Sequence, residues 1–177
     1  MSRITRTFVF VLTVTLTLGA LASCGGAADA ESDMYPETDP PKDGKEVTGE
    51  TMEWGDITVL VPEGYEFKGG DVFDPDDSKF FSVKRSDFSY FDFQVHDGED
   101  SAKGRVDQNR TLYTNGQQDA EVTYNGITWK GFSYDAMGTP AFELYAVIGD
   151  MAIKVASSGF DINGSVAEAI LGSLASK

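Results

Sequence analysis

An α+β fold, with an antiparallel sheet of about six or seven strands flanked by helices, is predicted by three features of this chain. Short segments in which apolar and polar residues alternate recur from Trp54 onward, the period of a half-buried strand. Asn125-Gly126 sits between two such segments, and a type I′ hairpin turn needs positive φ at both of its central residues. Two further segments carry apolar residues three and four apart, the spacing of one helix face.

In chain order, the first strand runs from Trp54 to Val61, with Ile57, Val59 and Val61 against Thr58 and Leu60, and stops at Pro62-Glu63-Gly64. Phe80 to Lys84 reads as a short second strand. Phe88 to His96 sets Phe91, Phe93 and Val95 inward against Tyr90, Asp92, Gln94 and His96 outward. A helix follows over Ser101 to Tyr113, with Ala102, Val106, Asn109 and Tyr113 on one side and Gly104 as its weak point. Val122-Thr123-Tyr124 and Ile127-Thr128-Trp129 flank the Asn-Gly turn, and the second of these continues through Phe132 and Tyr134. Phe142 to Ile148 turns at Gly149-Asp150 and returns through Met151, Ile153 and Val155. Last, Asn163 or Ser165 caps a helix carrying Val166, Ala169, Ile170 and Leu174.

The opening strand runs into Val61-Pro62-Glu63-Gly64-Tyr65, a strand followed by Pro-x-Gly-aromatic. With the mid-chain helix, the paired hairpins and the closing helix, this order resembles the PsbP-like domains of exported bacterial lipoproteins, over most of residues 52–177. The resemblance implies an α/β/α sandwich around an antiparallel sheet. It implies a protein that binds or supports partners, and it brings no shared active site onto this sequence.

Ahead of that domain the chain has a different character. Arg3 and Arg6 precede an apolar run from Phe8 to Leu18, and small residues follow, the three zones of a secretory signal. The run is well short of the ~20 residues that span a bilayer. Leu21-Ala22-Ser23-Cys24 resembles the bacterial lipobox, whose cysteine is acylated and becomes the mature N-terminus. Cys24 is the single cysteine of the 177 residues, so no intramolecular disulfide is possible. The expected layout is a signal peptide at 1–23, a lipidated Cys24 with an acidic linker through 50, and one domain over 51–177. The expected location is the extracytoplasmic face of a bacterial membrane, with the lipid on Cys24 as the membrane contact. Residues 25–50 hold eight acids, two lysines and many Gly and Pro, a composition that has little to bury. Extended, that linker reaches roughly 85 Å.

The formal charge is −15. Arg3 and Arg6 contribute +2 and the linker −6, which leaves −11 on residues 51–177. Such a surface repels nucleic acid. The sequence nominates no catalytic residue, metal or cofactor. His96 is the single histidine, which rules out a site of two or three His ligands, and it reads as an exposed residue at a turn. Two acidic loops, Asp71/Asp74/Asp76/Asp77 and Asp97/Glu99/Asp100, lack the spacing of an EF-hand and read as solvated turns. The remaining signal is aromatic: twelve Phe, seven Tyr and two Trp. Tyr90, Phe73 and Phe88 are the candidate binding patch for a protein, peptide or glycan. The leading expectation is thus a non-enzymatic binding or accessory module. The alternatives are a carboxylate-based hydrolase using acids such as Asp92 or Glu143, and a structural envelope-maintenance lipoprotein.

Overall fold

A computed structural model of the chain describes residues 46–70 and 79–177. The signal segment, Cys24, most of the acidic linker, Phe73 and the first acidic loop lie outside the described residues. Ten strands and two helices follow in order: β1 Gly49–Trp54, β2 Ile57–Pro62, β3 Glu66–Gly69, β4 Phe80–Ser86, β5 Ser89–His96, α1 Glu99–Arg110, β6 Gln118–Tyr124, β7 Ile127–Ala136, β8 Thr139–Ile148, β9 Met151–Ser158, α2 Ser165–Ser173 and β10 Ala175–Ser176. Seven strands form the principal sheet in the order β3-β4-β5-β9-β8-β7-β6, and β1-β2-β10 form a small second sheet. Every pairing is antiparallel. Two meanders, β3–β5 and β6–β9, are therefore joined where β5 meets β9, and α1 is the connection between them.

The period-2 alternation divides the principal sheet into two faces. One face presents Phe81, Val83, Phe91, Phe93, Trp129, Phe142, Leu144, Ile153 and Val155, all fully buried. It packs against Ile57 and Val59 of β2 and against Val166, Ala167, Ile170 and Leu171 of α2. Aromatic rings run through this core: Phe81 stacks on Phe93 at 4.6 Å and Phe91 lies 4.7 Å from Phe160. The other face carries α1, which buries Ala102 and Val106 against Phe132, Tyr145 and Ala152. Helices thus stand on both faces of an antiparallel sheet, the layering that the sequence predicts.

Several expectations change in detail. The strand expected over Trp54 to Val61 is two strands, because Gly55, at φ 57°, turns the chain into a hairpin with Gly49–Trp54. That hairpin opens two residues before the expected start of the domain. The principal sheet has seven strands, six of them expected, the first expected strand lies in the small sheet as β2, and β1, β3 and β10 carry no expectation. α1 starts two residues before Ser101 and ends before Tyr113. α2 is capped by neither Asn163 nor Ser165: Gly164 holds the cap position with no side-chain hydrogen bond. The Asn125-Gly126 turn is as read, with φ 49° and 82°.

Gly131 in β7 shows how closely the sheet is fitted beneath α1. A methyl group there would stand 2.1 Å from the Glu143 carbonyl oxygen, which is backbone and cannot swing aside. Gly131→Ala is expected to destabilise the fold by roughly 1–3 kcal/mol, as other overpacked sites do. Urea unfolding followed by tryptophan fluorescence measures it, and a midpoint equal to wild type would show that β7 and β8 separate freely.

Candidate functional site

The face under α1 is polar where it might have been apolar, and the strand registers place its residues in rows. One row crosses the sheet as Ser82, Asp92, Ala156, Glu143, Phe132 and Asp119. The next reads Lys84, Tyr90, Ser158, Ala141 and Tyr134. Asp92 and Glu143, the two acids named from sequence, therefore face the same way two strands apart. At ~4.8 Å per strand spacing their Cα atoms are roughly 10 Å apart.

Glu143 is 2% exposed and Lys154 9%. Their side chains form an ion pair at 3.1 Å. Asn109 of α1 donates from Nδ2 to both carboxylate oxygens of Glu143, at 3.0 and 2.8 Å. A buried carboxylate needs such partners, since desolvation otherwise favours its neutral form. Asp92 in turn accepts a 2.5 Å hydrogen bond from Ser82. Both acids are thus engaged by neighbouring side chains.

Three tyrosines surround this pair. Tyr113, just past α1, stacks on Tyr134 with ring centres 4.6 Å apart and planes 13° from parallel. Tyr90 lies on the same row as Tyr134, with the small residues Ser158 and Ala141 between them. Lys84 stands over the Tyr90 ring at 5.6 Å, within cation–π range. Burial holds the Tyr90 and Tyr134 phenols above their ordinary pKa, and nearby negative charge adds to it, from Asp92 and Glu143 at Tyr90 and from Glu143 at Tyr134. Both remain neutral hydrogen-bonding groups at any physiological pH.

Of the expected patch, Tyr90 is half-buried in this cluster and Phe88 stands 66% exposed in the β4–β5 turn. Tyr113 and Tyr134 join Tyr90 although the sequence did not single them out as site residues. Their signal in the sequence is weak, since the spacing puts Tyr113 on the buried side of a helix and Tyr134 on the continuation of a strand.

His96 is not the exposed turn residue expected. It is half-buried at the end of β5, with Nδ1 3.1 Å from Ser101 Oγ and Nε2 enclosed with no partner among the described residues. Burial first, then the Lys154 and Arg105 charges, lower its pKa below 6.5. The second acidic loop splits up: Asp97 pairs with Lys79 at 3.2 Å, and Glu99 and Asp100 open α1, where the helix dipole favours negative charge. Among the described residues no three His, Cys, Asp or Glu side chains gather as a metal-binding set, and no helix is long and apolar enough to cross a membrane.

No family model matches the sequence, and no curated protein matches it. Among solved structures, the chain is similar to a protein from Bacteroides thetaiotaomicron at 13% identity and TM-score 0.48, over 73% of this chain and 48% of that one. It is also similar to the cyanobacterial PsbP protein CyanoP from Synechocystis sp. PCC 6803, at 11% identity and TM-score 0.44, over 89% of this chain and 99% of that one. The chain thus spans about half the length of the Bacteroides protein. The α+β architecture rests on this chain's own strands and helices.

Two outcomes follow from this geometry. Glu143→Leu alone and Lys154→Met alone each strand a buried partner, so each is expected to cost about 3–5 kcal/mol. The double variant is expected to recover most of that loss, as measured by a denaturation cycle; additive losses would mean that the pair is not coupled. For His96, the unfolded chain takes up a proton near pH 6.5 and the folded chain only at lower pH. The stability held by the neutral ring is therefore present above about pH 6.5 and lost as the pH falls toward the lowered folded value. Melting temperatures taken from pH 7.5 to 5 should fall more steeply for wild type than for His96→Gln, and parallel curves would refute this.

Proposed function

We propose that this chain is a lipid-anchored binding or accessory module on the extracytoplasmic face of a bacterial membrane, held there by an acylated Cys24. The lipobox-like Leu21-Ala22-Ser23-Cys24 and the acidic linker behind it support the anchor. The observation that carries the module reading is the engagement of Glu143. Asn109 and Lys154 occupy both of its oxygens and α1 covers it.

A general acid or base must reach its substrate proton, whereas this carboxylate holds a helix on a sheet. What the same face leaves accessible is aromatic and polar: Tyr113 at its end, half-buried Tyr90, and Phe88 beyond. Tyrosine offers wide apolar contact and a polar tip at low entropic cost, which suits recognition of a protein, peptide or glycan.

Two measurements test the halves separately. Cells fed an alkyne fatty acid should label the wild-type protein and not Cys24→Ala, which should leave the membrane fraction; a labelled or membrane-bound Cys24→Ala would refute the anchor. A photo-crosslinking amino acid placed at Tyr90 should trap one discrete adduct in cells. The same group at Met137, which is 91% exposed on another turn, should trap none. Equal patterns at both positions would refute the patch.

A further inference from the structure

We infer that the groove between β1 and β3 is a docking site for an extended, basic peptide segment of a partner protein. The inference goes beyond the membrane-module reading and requires neither the lipid nor the tyrosine patch.

β1 is the terminal strand of the small sheet and β3 the terminal strand of the principal one. Both line one groove of about 560 Å³. Each therefore offers a row of backbone N–H and C=O groups that no described strand pairs on that side. Such an edge is a template for an added strand. Met52, Tyr65 and Phe67, all half-buried, supply apolar contact in the groove.

Glu50, Glu63 and Glu66 line the same groove and are exposed. Among the described residues, no lysine or arginine lines it. Glu50 and Glu63 have no ion-pair partner among the described residues, while Glu66 stands directly opposite Lys84 in the β3–β4 register. An apolar strip with the Glu50 and Glu63 carboxylates beside it complements a chain that carries both apolar and cationic groups. An extended strand provides these at period 2, one kind of side chain on each of its sides.

Charge also argues against occupants from the chain itself. Residues 25–45, which lead into β1, hold six acids and two lysines. Residues 71–78, which follow β3, hold four acids and no base. A second copy would bring a net −15 against the same glutamates. The complement is a basic segment from elsewhere.

The probe is a fluorescein-labelled decapeptide of alternating lysine and valine, titrated by anisotropy into the purified full chain at low and physiological salt. Saturable binding is expected, with amide shift changes confined to Gly49–Met52 and Glu66–Gly69. The double reversal Glu50→Lys, Glu63→Lys should weaken binding about tenfold, while the same reversal at the exposed Glu99 and Asp150 should change it less than twofold. The neutral pair Glu50→Gln, Glu63→Gln, checked by its melting temperature, provides a second measure if the reversed variant folds poorly. Equal weakening by both reversals would reduce the effect to overall charge and overturn the proposal. So would shifts mapping outside the groove, or a sedimentation-detected dimer that disappears on reversal. None of these results bears on Cys24 labelling or on crosslinking at Tyr90.

Discussion

β5 and β9 pair continuously from Tyr90↔Ser158 to His96↔Ala152, and this seam makes one sheet of two meanders. Its partners are about sixty residues apart in sequence, so the chain closes a long loop before the contact stabilises anything. Almost everything else is positioned by it. The seam brings Phe91 and Phe93 beside Val155 and Ile153 on the core face. It sets Asp92 two strands from Glu143, and it provides the surface on which α1, itself part of the loop being closed, comes to rest. A slip of one residue would turn Lys154 toward Phe91, Phe142 and Leu144 and put Val155 under α1.

Much of this arrangement was legible because strand alternation reports which residues share a face. Phe91, Phe93, Leu144, Ile153 and Val155 fall where their spacing places them, and Asn125-Gly126 turns as its φ requirement demands. The helix face of Ala102, Val106, Asn109 and Tyr113 is also the face that meets the sheet. The strands that escaped notice are short or poor in apolar residues. β1, Gly-Glu-Thr-Met-Glu-Trp, turns only Met52 and Trp54 inward. β3 is Glu-Phe-Lys-Gly, and β10 is two small residues. Edge strands half open to water need little hydrophobic patterning, and so leave little signal.

The site was less legible for a different reason. Alternation assigns Glu143, Lys154 and His96 to the face opposite the core, and on a two-layer protein that face would be wet. Whether a helix then covers it is a question of tertiary packing. α1 turns outward-facing positions into a second interior, which is why Glu143 is buried and His96 enclosed. Asp92 and Tyr90, nearer the β3 edge, stay half-buried. The same covering explains why the two carboxylates, a plausible catalytic pair on paper, serve as acceptors for Ser82, Asn109 and Lys154.

A buried ion pair is a poor source of stability, since desolvation takes back most of what the charges gain. Its value here lies in the geometry that it selects. Ala102 and Val106 give α1 a small apolar foot, and small side chains tolerate many rotations and offsets of a helix. Asn109, reaching both oxygens of Glu143, tolerates few: the bidentate contact fixes the roll of α1 and its position along the sheet. Arg110, one residue on, lies over the Phe132 ring at 5.0 Å and donates to the Gly131 carbonyl at 2.8 Å. With the end of α1 held at these points, Tyr113 is delivered onto Tyr134, and the tyrosine cluster takes one shape. The polar interior thus sets the form of the aromatic surface beside it, which an apolar layer of equal volume would leave free to shift.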